Sequence, residues 1–243
     1  MVITTEPYKL STQNSLQNQI LSVLPREEYE RLAPHLQLVS LTQGEFLYAP
    51  GEPIEYVYFP NQGVISLVLT LEDGSMGEVG LIGQEGMVGL AVIWGNLPPT
   101  SQAQVQLPGD AFSLKASVIK TEFSRGGALQ DLLLRYTKAL FAQVSQSAVC
   151  NAKHTIEERL ARWLLMSQDR VQSDEFPLTQ EFISHMLGVR RAGVTVAAGD
   201  LQRAGLIRYS RGKIAIRDRE SLEATACECY QVVKTEFEHL FDD

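Results

Sequence analysis

The chain has 243 residues, 44% of them hydrophobic and 21% charged, an ordinary globular balance that fits one large domain or two small ones, with two expected. Its formal charge of -8 weighs against a nucleic-acid partner, but the average hides an asymmetry. Residues 1–152 carry 8 Lys/Arg against 14 Asp/Glu, a net of -6, whereas residues 190–219 carry 8 against 2, a net of +6.

Cys150, Cys227 and Cys229 supply neither an even disulfide framework nor four thiolates for a cluster within one chain, so a reducing, cytoplasmic setting is expected. MVITTEPYKL lacks the basic-then-apolar pattern of a secretion signal, and no apolar run reaches the roughly 18 residues needed to span a bilayer. No membrane association is expected.

The first fifteen or so residues are polar and aperiodic and read as a loosely held arm. From Asn18 to Leu36, Ile20, Leu21, Leu24, Tyr29, Leu32 and Leu36 recur at helical spacing, with Pro25 placed to start a second short helix. Between Leu38 and Leu114 the pattern changes to short β-rich runs: LQLVSL, YVYFP, VISLVLTL, EVGLI, AQVQL and AFSL. Turn signals separate them, among them NQG at 61–63, EDGS at 72–75 and PGD at 108–110. Many short strands without intervening helices predict a sandwich or jelly-roll barrel in place of a parallel sheet.

After Phe123, Leu129, Leu132, Leu133, Tyr136, Leu140, Phe141, Val144 and Ala148 mark one face of a long helix reaching about Asn151. The stripe suits packing on the chain's own barrel or pairing with the same helix of a second subunit. A further amphipathic helix covers Thr155 to Arg170, with Glu157, Glu158, Arg159 and Arg162 read as solvated. VQSDEFP then reads as a loop, and Glu220 to Phe241 as helical, with Cys227 and Cys229 in it read as inert thiols.

Leu178 to Ile207 has the layout of a helix-turn-helix. Thr179 is placed to N-cap a helix over Gln180–Leu187, with Phe182, Ile183, Met186 and Leu187 spaced to pack inward, and Gly188 supplies the turn. A second helix, about Arg191 to Ala204, would bury Val194, Ala197, Ala198 and Leu201. Arg190, Arg191, Ala192, Thr195, Val196 and Gly199 are then left to face outward, while Gln180 and Glu181, next to Thr179, lie near the end where a phosphate could approach, and Thr179 and Gln180 are taken as DNA contacts. An arginine fork can satisfy guanine O6 and N7 together, although either Arg could instead bind only phosphate. LIRYSRGKIAIRD reads as a wing with Arg211 and Gly212 at its tip, and Arg208, Arg211 and Lys213 within reach of backbone phosphates. The bland alternative is a solvated basic face.

In this order of parts the chain resembles the Crp/Fnr family of bacterial transcription regulators over nearly its whole length. The match is carried by LT, the MLGV turn, Arg191, Val194, Leu201 and GLI in the C-terminal module, and by PGEP at 50–53 followed by NQGVISL in the roll. The resemblance implies an α+β protein with three parts. Residues 1–126 would form an N-terminal β-roll, the cyclic-nucleotide-binding-like double-stranded β-helix. Residues 127–152 would form a dimerisation helix and 153–243 a winged helix-turn-helix. It further implies a homodimer bound to double-stranded DNA, a signal received at the N-terminal domain, and RNA polymerase as partner.

Two departures matter. Nucleotide-binding members of the family use a Gly-Glu-Leu carboxylate for the ribose and an Arg-Ser pair for the cyclic phosphate. Here Leu90 stands in the Glu position and Thr100-Ser101 in the Arg-Ser positions, which removes the charged contacts. Any effector is then expected to be apolar or weakly polar and to sit near Gly89, Leu90, Trp94, Thr100 and Ser101. In the recognition helix, the family's Arg-Glu-x-x-x-Arg reading set becomes Arg191, Ala192 and Val196, which predicts a different operator. No cysteine lies before Cys150, so iron-sulfur sensing at the N-terminal domain is not expected, and no cofactor is expected at all.

Two readings from other classes remain: a sensing roll whose winged helix docks protein, and a jelly-roll metalloenzyme. Against the second, only His35 lies in the N-terminal region, His154, His185 and His239 fall on helices, and no Ser/His/Asp or Cys/His arrangement stands out. The chain is expected not to be an enzyme.

Overall fold

The computed structural model describes residues 16–95, 97–171 and 173–242. The polar arm lies outside the described residues. The chain forms two compact units, neither contiguous in sequence: one takes the described residues up to Leu67, Ile82–Lys138 and the end from Leu240, the other Val68–Leu81 and Ala139–His239.

The first unit opens with α1 (Gln19–Val23) and α2 (Arg26–Leu32), the latter entered through Pro25. Asn18 caps α1 by accepting from Leu21 N, and its buried amide donates to Pro60 O and Gly86 O at 3.0 Å each. One side chain thus closes a helix end and satisfies two buried carbonyls of distant strands.

The strands that follow are β1 (Gln37–Leu41), β2 (Phe46–Tyr48), β3 (Tyr56–Thr70), β4 (Met76–Ile82) and β5 (Gln102–Lys115). They form one sheet in the order β1-β5-β3-β4, with β2 also on β5, and β1 runs antiparallel to β5 from Gln37↔Ser113 to Leu41↔Gly109. Val57, Phe59, Val64, Ile65, Val105, Leu107 and Leu114 fill the interior, where Ser66 and Gln106 satisfy each other at 2.9 Å.

Two expected turns are corrected here. NQG at 61–63 and PGD at 108–110 do not separate strands; β3 and β5 run through them as strands of 15 and 14 residues. The glycines serve a close backbone approach. A Cβ on Gly63, whose φ is +91°, would stand 2.7 Å from Leu107 O, and one on Gly109 would stand 2.3 Å from Gln62 O. Backbone cannot yield as a flexible side-chain end can. Gly109→Ala is therefore expected to cost about 3 kcal/mol through overpacking, read as a lower urea midpoint at unchanged slope.

α3 (Ala116–Ser124) leads through Gly126 and Gly127 into α4 (Ala128–Lys153). The start of α4 is capped from a distance: Glu28 accepts from Ala128 N at 3.0 Å and from Leu129 N at 2.8 Å, placing a carboxylate at the positive end of the helix dipole. Leu129, Leu132, Leu133, Tyr136 and Leu140 are buried as the periodicity predicts, but Phe141 is 71% exposed and Ala148 is exposed as well.

The second unit continues from α4 into α5 (Ile156–Arg170), which begins with a capping box between Thr155 and Glu158. Accepting from Thr155 holds the Glu158 carboxyl below its usual range. Trp163, buried at mid-helix, donates to Glu78 at 3.0 Å. Arg159 and Arg162 were expected on the solvated face and are instead 6% and 5% exposed. The reason is that α5 is the unit's central helix, packed by α6 (Gln180–Leu187), α7 (Arg191–Arg203), α8 (Arg219–Thr225) and α9 (Cys229–Glu238), so along residues 159–167 no face is left to water.

The expected loop VQSDEFP is corrected in part. Glu175–Pro177 is a strand, β6, pairing antiparallel with β8 (Lys213–Ile216), which pairs in turn with β7 (Ile207–Ser210). Phe176 is buried, and Pro177 is tolerated because β6 is an edge strand.

Candidate nucleic-acid interface

The helix-turn-helix is built from local chemistry. Thr179 caps α6 by accepting from Phe182 N at 3.1 Å. Gly188 ends it in the left-handed region at φ 61° and ψ 39°, and the amides of Gly188 and Val189 close back on His185 O and Ser184 O. Three residues later α7 begins, with Val194, Ala197, Ala198 and Leu201 buried as expected. Gly193 sits where a Cβ would come within 2.7 Å of the Ile156 side chain, so the helix lies close on α5. On α6 the inward set is Ile183, Ser184, Met186 and Leu187; Phe182 is half-buried and does not join the core.

The outward face holds Arg190, Arg191, Ala192, Thr195 and Val196, all exposed, with Gly199 half-buried. Thr195 donates to Gln180 Oε1 at 2.9 Å, which ties the recognition helix to the first turn of α6. Arg191 lies 4.0 Å from Glu181, which also faces His185 at 3.6 Å. Glu181, expected near an approaching phosphate, is instead a carboxylate facing Arg191 and His185. It lies where it can hold the Arg191 fork in one orientation without burying it.

The wing turns at Arg211 and Gly212, with φ of 52° and 76°, the pair of positive values that a two-residue type I′ hairpin requires. Gly212 approaches Thr179, so the hairpin tip and the amide end of α6 lie side by side. Arg208, Arg211, Lys213 and Arg217 line a shallow groove of about 390 Å³ in which Glu175 is the single carboxylate, 3.2 Å from Lys213 Nζ. Arg217, inside the LIRYSRGKIAIRD run but one residue past the end of β8, was given no role because only sheet register brings it to the groove. The structure thus gathers Gln180, Arg190, Arg191 and Thr195 on one surface, and Thr179 with Arg208, Arg211 and Lys213 beside it. Long cations around a groove of this kind suit phosphate oxygens, and the exposed helix face suits base edges.

The residues expected around an effector are placed less coherently. Gly89 adopts φ +93° with a Cβ position against Val57, Leu90 is buried, Trp94 is 63% exposed and Thr100 is exposed. Ser101 hydrogen-bonds the Tyr48 phenol, whose burial pushes it up to about 12 despite that bond. Leu90 and Trp94 therefore do not line one wall.

A β-roll followed by a winged helix-turn-helix with a basic reading face defines a DNA-binding transcription regulator. The cyclic nucleotide-binding domain matches residues 38–125 and the Crp-like helix-turn-helix domain residues 158–225. The chain belongs to the Crp/Fnr family. It is 25% identical over 202 residues to the CRP-like cAMP-activated global transcriptional regulator of Mycobacterium tuberculosis, covering 80% of this chain and 90% of that protein. To the global nitrogen regulator of Synechococcus elongatus it is 24% identical over 191 residues, covering 74% and 86%. Among solved structures, FixK2 from Bradyrhizobium japonicum superposes with a TM-score of 0.67 at 19% identity, covering 79% of this chain and 98% of that one.

Proposed function

We propose that this regulator binds a two-fold symmetric duplex site as a homodimer. Arg191 and Thr195 face the bases, while Thr179, Gln180, Arg190, Arg208, Arg211 and Lys213 hold the phosphates. The observation that carries the reading is the convergence of the exposed arginines of α7, the amide end of α6 and the cationic groove of the wing within one unit. The protein then consists of a sensor roll over 1–126, a dimerisation helix over 127–152 and a reading domain over 153–243, and works in the cytoplasm with RNA polymerase as partner. In the described residues no helix is long and apolar enough to cross a membrane.

Dimerisation is assigned to α4. Leu134, Phe141 and Ala148 recur every seven residues on exposed positions, with half-buried Thr137 and Val144 between them, a spacing that suits a coiled-coil seam. The roll takes a signal other than a cyclic nucleotide, because Leu90 is buried and Thr100-Ser101 offers no guanidinium for a cyclic phosphate.

Duplex binding titrated against salt tests the reading. The logarithm of affinity should fall linearly with the logarithm of salt concentration, with a slope on the order of -6 to -10 for the dimer. Absence of duplex binding at moderate salt would instead make the winged helix a protein-docking module. A thermal-shift series with cyclic AMP and cyclic GMP should show no stabilisation; a clear rise with either would overturn the account of Leu90 and Thr100.

A further inference from the structure

Far from the reading face, the fold brings all three cysteines together. Cys150 near the end of α4, His154 just after that helix, and Cys227 and Cys229 at the junction of α8 and α9 each offer one ligand atom, and these atoms all lie within 4.8 Å of one another. Cys150 Sγ is 3.5 Å from Cys227 Sγ, and Cys229 Sγ is 3.5 Å from His154 Nδ1. The three thiols are buried and His154 is nearly so.

We propose that Cys150, His154, Cys227 and Cys229 form a structural zinc site that fastens the α8–α9 junction to the turn between α4 and α5. Dimensions select the metal. A tetrahedral ion with bonds of about 2.3 Å to sulfur and 2.0 Å to nitrogen sets its ligand atoms about 3.5–3.8 Å apart, matching both short contacts. An iron-sulfur cluster is wider, holding its thiolates on the order of 6 Å apart, and does not fit within this span. Three sulfurs and one imidazole nitrogen make a soft set suited to a tetrahedral ion and poorly suited to magnesium or calcium.

Two further features are those of a metal centre. His154 turns Nε2 toward the Glu228 carboxylate at 3.3 Å and Nδ1 toward the thiols, the carboxylate–histidine arrangement that fixes the tautomer of a metal-binding imidazole. Gln146 donates to Cys229 Sγ at 3.1 Å, the kind of hydrogen bond that supports a thiolate. The second feature is charge. Arg159 and Arg162 are buried and have no carboxylate partner among the described residues; Arg162 reaches only the Ser147 hydroxyl and Arg159 the Leu187 carbonyl, and Nε of each is without an acceptor. Both act electrostatically on Cys150. Binding Zn²⁺ releases the three thiol protons and leaves a centre of net charge -1, which offsets buried positive charge that thiols alone do not.

The test uses the full chain without a histidine tag, purified under reductant and without chelator. Elemental analysis should find about one zinc per chain, and exchange for Co²⁺ should give the ligand-field and thiolate charge-transfer bands of a tetrahedral sulfur-rich site. Cys229→Ser and His154→Ala should lose the ion, His35→Ala should keep it, and removal by chelator should lower Tm by about 5 °C or more. Glu228→Gln, at an exposed position, should keep the fold and weaken zinc about tenfold or more. Four results would overturn the proposal: a metal-free chain that gives no cobalt spectrum, zinc retained by Cys229→Ser, iron with inorganic sulfide, or a Cys150–Cys227 disulfide in the reduced preparation.

Discussion

Phe141→Asp is expected to yield a folded monomer that binds its duplex site at least 100-fold more weakly. Phe141 is 71% exposed in the protomer, so the substitution removes little from the protomer's own core, and helix content by circular dichroism should be unchanged. In a two-fold dimer the same patch meets itself, so one substitution changes the seam twice. Each lost phenyl forfeits about 2 kcal/mol of burial, and the two introduced carboxylates repel across the axis. Once the protomers separate, the second half-site is no longer held at high local concentration, and a loss on the order of 10²–10⁴ follows without any change in the reading helix. Sedimentation gives the mass and fluorescence anisotropy the affinity. Phe141→Leu, which keeps the seam apolar, should remain dimeric. A dimer that survives Phe141→Asp would place the interface elsewhere.

What could be read before the fold was known depended on how local its cause is. Thr179, Gly188, Arg211 and Gly212 act on amides and dihedral angles within a few residues, and the two helices and the wing lie where those signals place them. Errors arose where a distant part of the chain decides. NQG and PGD carry turn composition, yet each exists because the other strand crosses it at backbone contact, some 46 residues away. Phe176 lies in a run of only three strand residues whose partner, Ile214, comes after both helices of the helix-turn-helix. Arg159 and Arg162 look solvated by residue type and are buried because four helices surround α5. The cysteine group shows the same limit: Cys150 and His154 stand one helical turn apart, but Cys227 and Cys229 join them only through the fold. A Cys-x₃-His pair at the end of a long helix, with Cys-x-Cys near the terminus, was the available signal, and sequence separation concealed it. Of the reading face, the arginines were legible from position alone; the Glu181 contact and Arg217 were not.

Arg191→Ala is expected to change what the protein reads more than how firmly it holds DNA. Arg191 opens α7 with its side chain 67% exposed, and side chains of a helix lean toward its N-terminus, the end a recognition helix presents to base edges. A bidentate contact to guanine is worth about 1–3 kcal/mol per half-site. Its loss in both halves of a symmetric site should weaken the preferred duplex by about one to four orders of magnitude, while random duplex loses only the charge term. Lys213→Ala should act differently, lowering affinity for all sequences alike and reducing the magnitude of the salt slope by about one per half-site. Next to the arginines, Ala192 and Val196 are exposed where the family's common set would place Glu and Arg, and Val196 is 64% exposed. An apolar side chain at a base edge suits the thymine methyl. Selection from random duplexes should therefore return a guanine that disappears with Arg191→Ala and a thymine that weakens with Val196→Ser. Arg190, at the N-cap, should contribute mainly to phosphate, so Arg190→Ala should shift affinity without shifting the selected sequence. If Arg190→Ala and Arg191→Ala both select the wild-type site with wild-type affinity, neither is a reader, and sequence recognition would have to rest with Thr195, Val196 and Gln180.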